Sequence, residues 1–164
     1  MSRELSRSAL FSELLDETRA GQRATDLVDD AACRLMGINR TDGRCLDILE
    51  QRDRISAGEL ARDAGLTSGA ITAVIDRLEG VGYARRLTDP GDRRRVLVEP
   101  TAKALQIAEE LMGPMGEPGY KYVAQYTDEE LKLLVDFLRF SRELQERHAN
   151  WLRERIDREG IKAP

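Results

Sequence analysis

The sequence predicts a mainly α-helical fold carrying one small β-hairpin, and three observations support this. Apolar residues recur at helical spacing along most of the chain. The exception, Tyr83 to Glu99, is β-branched and alternating in its second half and is interrupted by Asp89-Pro90-Gly91-Asp92. Two long helical patterns, one near each end, flank that hairpin and the pair of short helices before it.

The first helix is expected from Ser8 to Met36, with Leu10, Leu14, Ala24, Leu27, Val28, Ala31 and Leu35 on its apolar stripe, Gly21 weakening its middle and Gly37 closing it. Asn39 and Thr41 are both plausible caps for a second helix through about Gln51, with Cys45, Leu46 and Leu49 facing inward. Ser56 and Glu59 then form a capping box for a short third helix, with Leu60, Ala61 and Ala64 buried and Gly65 ending it. Thr67 or Ser68 caps the fourth. Its residues Ile71, Val74, Ile75 and Leu78 fall at i, i+3, i+4 and i+7, leaving Ser68, Gly69, Thr72, Ala73 and Asp76 on the opposite face. Gly80 or Gly82 stops it.

A strand from Tyr83 to Thr88 follows, then a turn in which Pro90 presets φ and Gly91 tolerates a positive φ. The return strand runs from Arg94 to Glu99, with Val96 and Val98 on one face. A helix–turn–helix followed by a hairpin is a winged helix. Arg93, Arg94 and Arg95 lie at the hairpin tip and Arg85 and Arg86 on its first strand. A hairpin core has no use for five arginines, whereas a phosphate backbone does.

After the wing, Thr101 caps a helix bearing Leu105, Ala108 and Leu111 or Met112. Gly113, Pro114, Gly116, Pro118 and Gly119 predict a kink or a break there, with the helix resuming from Tyr120 to Tyr126. Thr127 and Glu130 form a second capping box. From Asp128 to about Arg158 neither glycine nor proline occurs, a helix of roughly 45 Å at 1.5 Å per residue. Leu131, Leu134, Val135, Leu138, Leu144, His148, Trp151, Leu152 and Ile156 trace one side of it. A monomer of 164 residues has no core long enough to bury that stripe, so a second copy is the expected partner. The expected division is a lobe over 41–100 between dimerisation helices over 8–37 and 101–160.

Composition bounds the function. The formal net charge is −4, but Tyr83 to Glu99 holds five arginines against Asp89, Asp92 and Glu99, a local +2 on a body of −6. That suits nucleic-acid binding along one edge rather than coating by the whole surface. No apolar run approaches the roughly 20 residues of a membrane span, and the N-terminus lacks a signal-peptide core, so a cytoplasmic protein is expected. Cys33 and Cys45 lack zinc spacing; Cys45 reads as a core residue, while Cys33 is more open and leaves a redox-sensing role as an alternative. With one histidine, no nucleophile motif and no phosphate-cradling glycine loop, no catalytic residue, metal ligand or cofactor is expected. Tyr120, Tyr122, Tyr126, Phe137, Phe140 and Trp151 are the aromatic candidates for a small-molecule pocket, though packing explains them equally well.

The segments GELARDAGLTSGAITAVIDRLEGVGYARR and DPGDRRRVLVEPT resemble the DNA-binding lobe of the MarR (multiple antibiotic resistance regulator) family, and the likeness extends over most of the chain from about Asp26. Its most specific part is the D-x-R of the wing, Asp92 and Arg94. The resemblance implies a homodimeric winged-helix transcription regulator, most often a repressor, on palindromic double-stranded DNA. It implies a recognition helix in the major groove and a wing arginine, steadied by the aspartate, in the minor groove. The implied DNA-binding set is Ser56, Thr67, Ser68, Gly69, Thr72, Ala73, Arg77, Arg93, Arg94 and Arg95, with Asp92 orienting the wing. Arg77 stands between Asp76 and Glu79, so pairing within its own helix is its alternative. The resemblance also implies a small, often aromatic or phenolic, effector. Family members often carry a long polar residue early in the recognition helix; here Ser68-Gly69-Ala70 and Ala73 stand there. Use of the winged helix as a protein-interaction module is the remaining alternative.

Overall fold

The computed structural model describes residues 6–89, 91–92 and 96–161. In chain order the elements are α1 (Arg7–Met36), α2 (Arg40–Arg52), β1 (Ile55–Ser56), α3 (Ala57–Ala64), α4 (Ser68–Gly80), β2 (Ala84–Thr88), β3 (Val96–Pro100), α5 (Ala102–Val123) and α6 (Asp128–Glu159). The fold is mostly helical with one small antiparallel sheet, as its sequence predicts. The chain divides into two compact units, Met1–Gly113 and Pro114–Pro164.

The caps follow from short polar side chains at helix starts. Asn39 caps α2, Ser56 caps α3, Thr67 caps α4 and Thr127 caps α6, and both expected capping boxes are complete. Gly37 and Gly65, at φ 69° and 67°, end α1 and α3 in the left-handed conformation that a side chain would resist.

The sheet holds one strand more than expected. β1 pairs antiparallel with β3 (Ile55 opposite Val98), giving the order β1-β3-β2. Two residues with no alternation are too short to announce a strand. Just before it, Asp53 takes φ 60° and ψ −61°, and Arg54 N–H donates to the Arg52 carbonyl at 2.7 Å. This is a tight, strained γ-turn that swings the chain from α2 into the sheet.

The core of the first unit is assembled from the predicted stripes. Leu46 and Leu49 of α2, Leu60, Ala61 and Ala64 of α3, Ile71, Val74, Ile75 and Leu78 of α4 and Val98 of β3 pack together. Cys45, fully buried, lies among them as expected.

At Pro114 and Pro118 the helix neither stops nor restarts: α5 runs through both prolines to Val123. Each proline removes one backbone donor, but both lie on exposed turns, where water can take the freed carbonyl. The boundary between the two units nevertheless falls at Gly113 and Pro114.

In the second unit α6 buries none of its residues within the chain. Val135, Leu138, Leu144, Trp151, Leu152 and Ile156 are all exposed. His148 stacks on Trp151, with ring centroids 5.4 Å apart.

Candidate nucleic-acid interface

The exposed face of α4 is the one its periodicity leaves free. Ser68, Gly69, Thr72, Ala73, Asp76 and Arg77 are exposed, while Ile71, Val74, Ile75 and Leu78 face the core. Thr67 sits at the N-terminus, where its side chain accepts from Ala70 N–H at 3.3 Å. The Thr72 hydroxyl donates back to the Ser68 carbonyl at 3.0 Å, which leaves its methyl and the hydroxyl's acceptor lone pairs uncommitted. This surface is short, small and close to neutral.

Two predicted contacts are already engaged. Ser56 is half-buried and holds Glu59: its backbone N–H donates to Glu59 Oε2 at 2.9 Å and its hydroxyl closes the capping box. Arg77 turns away from Asp76 and Glu79. Its Nε donates to both oxygens of Asp42 on α2, at 3.2 and 3.0 Å, and its Nη2 reaches Oδ1 at 2.6 Å. Pairing within its own helix is therefore replaced by a tie between helices. Asp42, buried at 2% exposure, also accepts from Asn39 Nδ2 at 2.8 Å. The missed signal was positional: Asp42 lies three and four residues before Cys45 and Leu46, on the same buried stripe of α2. A carboxylate on a core stripe requires a partner.

The same logic applies to Arg85 and Arg86, two of the five arginines of the hairpin, which already have carboxylate partners. Arg85 Nε donates to Glu99 Oε1 at 2.6 Å, and Arg54 Nε holds the other oxygen at 2.7 Å. Glu99 is buried, and hydrogen bonding from Arg85, then from Arg54, outweighs burial to hold its carboxyl below the ordinary range. Arg86 bonds Asp76 at 2.6 Å and pairs with Glu79, while its backbone N–H donates to Glu79 Oε1 at 2.8 Å. These arginines join the hairpin to the preceding residues and to α4.

At the wing the Asp89 carboxylate accepts from Gly91 N–H at 2.8 Å, an Asx-turn, while Pro90 lies outside the described residues. Arg93, Arg94 and Arg95 lie outside the described residues, so the orienting of Arg94 by Asp92 does too.

Cys33 is buried rather than open, at 8% exposure. A side chain at Gly43 would collide with its sulfur, so the glycine makes room for the thiol. Burial first, then the charges of Asp30 and Asp42, push the thiol pKa up, and burial does the same at Cys45. Both effects oppose thiolate formation and disfavour redox sensing.

The first unit also contains a cavity of about 600 Å³ between α1, α2 and the first half of α5. None of the six candidate aromatics lines it. Among the described residues no group of His, Cys, Asp or Glu is placed to hold a metal ion, and no helix is long and apolar enough to cross a membrane.

Comparison with known proteins agrees with this architecture. Residues 38–96 match the model of the MarR family. The chain is 34% identical to the uncharacterised helix–turn–helix transcriptional regulator YcgE of Bacillus subtilis (strain 168), over 94% of this chain and the whole of that one. A MepR variant from S. aureus, bound to an oligodeoxyribonucleotide, shares the fold with a TM-score of 0.51 and 19% identity, over 87% of this chain and 99% of that one. NadR in complex with 4-hydroxyphenylacetate does so with a TM-score of 0.55 and 21% identity, over 84% and 94%.

Proposed function

The chain belongs to the MarR family of DNA-binding transcriptional regulators, and from that premise we propose that it is a repressor that binds a pseudo-palindromic operator as a homodimer and is released by a small molecule. The observation behind the operator reading is the exposed face of α4, held at a fixed attitude by the Arg77–Asp42 and Arg86–Asp76 ties. A helix that enters the major groove needs such bracing, because small displacements misalign its contacts with base edges.

Thr67, Ser68, Gly69, Thr72 and Ala73 face the DNA, and Ser56 acts by capping α3. None of the α4 residues makes the bidentate arginine–guanine contact of strong direct readout. The Thr72 and Ala73 methyls suit thymine methyl groups, and the N-terminal amides of α4 suit a phosphate. Specificity then leans on the wing, with Arg94 in a narrow, A·T-rich minor groove, oriented by Asp92 and flanked by Arg93 and Arg95. The lobe over 41–100 does this work, and the helices over 8–37 and 101–160 dimerise, covering the exposed stripe of α6 with a second copy.

Titration of Arg94→Ala and Asp92→Ala against operators with altered flanks tests the reading. Arg94→Ala costs on the order of 1–3 kcal/mol per half-site and flattens the preference for flanking A·T pairs. Asp92→Ala costs less, since it only orients that arginine. Full affinity and an unchanged flank preference in Arg94→Ala would overturn the wing-led mechanism.

A further inference from the structure

The cavity in the first unit has an apolar body and an acidic wall. Met36, Leu46, Leu111 and Met112 form much of the body. Two methionines give it a polarizable, adaptable lining. Five charged side chains also line it: Asp29, Arg40, Arg44, Asp47 and Glu50. Arg40 is not available to a ligand as a free cation, because Asp26, Asp29 and Asp30 of α1 hold it at 2.7, 2.9 and 3.1 Å. With those supporting aspartates counted, carboxylates around the cavity outnumber guanidiniums five to two.

Glu50 is half-buried at this wall and has no hydrogen bond or ion pair among the described residues. Burial, then the neighbouring charge of Asp47, raises its carboxyl above the ordinary range. Cys33, another lining group, reports the same field, because Asp30 and Asp42 add to burial in raising its thiol. A carboxylate and a thiol on different helices are thus both pushed towards their protonated forms, first by burial and then by surrounding negative charge. An anion entering this space would lose water and meet more carboxylates than guanidiniums, Arg44, exposed to solvent, being the lining guanidinium that the α1 aspartates do not hold. A cation with an apolar body would meet a charge that lacks a partner.

We propose that this cavity takes lipophilic organic monocations, with Glu50 and Asp47 supplying the counter-charge and the methionine-lined floor taking the apolar body. The inference rests on the reading of the protein as a ligand-released regulator and names the chemical class of that ligand. It differs from the aromatic or phenolic class that the sequence resemblance implies.

Tetraphenylphosphonium and tetraphenylborate have nearly the same shape and opposite charge, so they isolate the electrostatic claim. Equilibrium dialysis of the full chain against each, near neutral pH, should show saturable binding of the phosphonium and none of the borate over the same range. Glu50→Gln keeps the shape and removes the charge, and should weaken phosphonium binding by roughly tenfold or more. Ala108→Phe, which fills the cavity from α5, should abolish it and so places the ligand. Equal or tighter binding of the borate, or an unchanged Glu50→Gln affinity, overturns the cation class. Absence of binding by either probe overturns it as well. Operator titration in the presence of phosphonium reports separately on release: charge-selective binding without loss of operator affinity supports the cation site and refutes ligand-induced release.

Discussion

Asp42 and Arg77 show how one buried carboxylate decides the fate of an arginine on the exposed face of α4. Removing Arg77 leaves the buried carboxyl group of Asp42 without its cation, which is far more costly than losing an exposed ion pair. Arg77→Ala should therefore lower both the urea midpoint and operator affinity. The double variant with Asp42→Asn should recover part of the midpoint; if it does not, the tie is not what holds the helix. Gly43 and Cys33 form a second pair. Gly43→Ala gains about 1 kcal/mol of helix propensity, set against an overpacking cost of about 1–3 kcal/mol where its Cβ meets the sulfur. The net effect should be destabilising in the natural chain by about 1 kcal/mol and should change sign in a Cys33→Ala background, read by urea denaturation. The same sign in both backgrounds would mean that the thiol simply turns aside.

At the scale of the element, the hairpin depends on Glu99. Its carboxylate on β3 accepts from Arg85 on β2 and from Arg54 next to β1, so a single acid ties the sheet across its width. Its pKa is depressed in the folded protein, chiefly by the Arg85 hydrogen bond. The resulting stability is present above the unfolded glutamate value of about 4.3 and is lost as pH falls through the lower folded value. Glu99→Gln should be less stable at neutral pH but should lose less on acidification across that window. Urea midpoints measured from neutral pH downward would reveal the convergence, and parallel curves would remove Glu99 as the source of acid sensitivity.

For the whole molecule, formal charge and exposed apolar surface set the expectations. An acidic chain binds DNA only where its arginines concentrate, so operator affinity should fall steeply with salt. Each neutralised phosphate contributes about 0.9 to the log–log slope, and a dimer with several contacts per wing should reach several units. A flat salt response would contradict phosphate-led binding. The exposed stripe of α6 carries the proposal of a second copy, since large contiguous apolar surface is rarely left to water. Deleting the chain from Asp128 onward should give insoluble or unfolded protein. A folded, monomeric truncation in sedimentation and circular dichroism would refute the dimer.

Helix starts, stops and buried stripes were determined by the sequence alone, because caps, left-handed glycines and 3.6-residue spacing act within a turn or two. Thus Asn39, Ser56, Thr67 and Thr127 cap where their chemistry places them, and Ile71 to Leu78 bury the face that their spacing predicts. The partners of charged residues were decided only by tertiary structure. Arg77 finds Asp42 across 35 residues and Arg54 finds Glu99 across 45, and no local pattern links residues so far apart. Arg85 and Arg86 looked free for phosphate because a sequence shows charge without showing burial, and it is the buried carboxylate of Glu99 that claims Arg85. The prolines of α5 mark the converse limit: their local cost predicts an interruption, but exposure lets water satisfy the freed carbonyls and the helix continues.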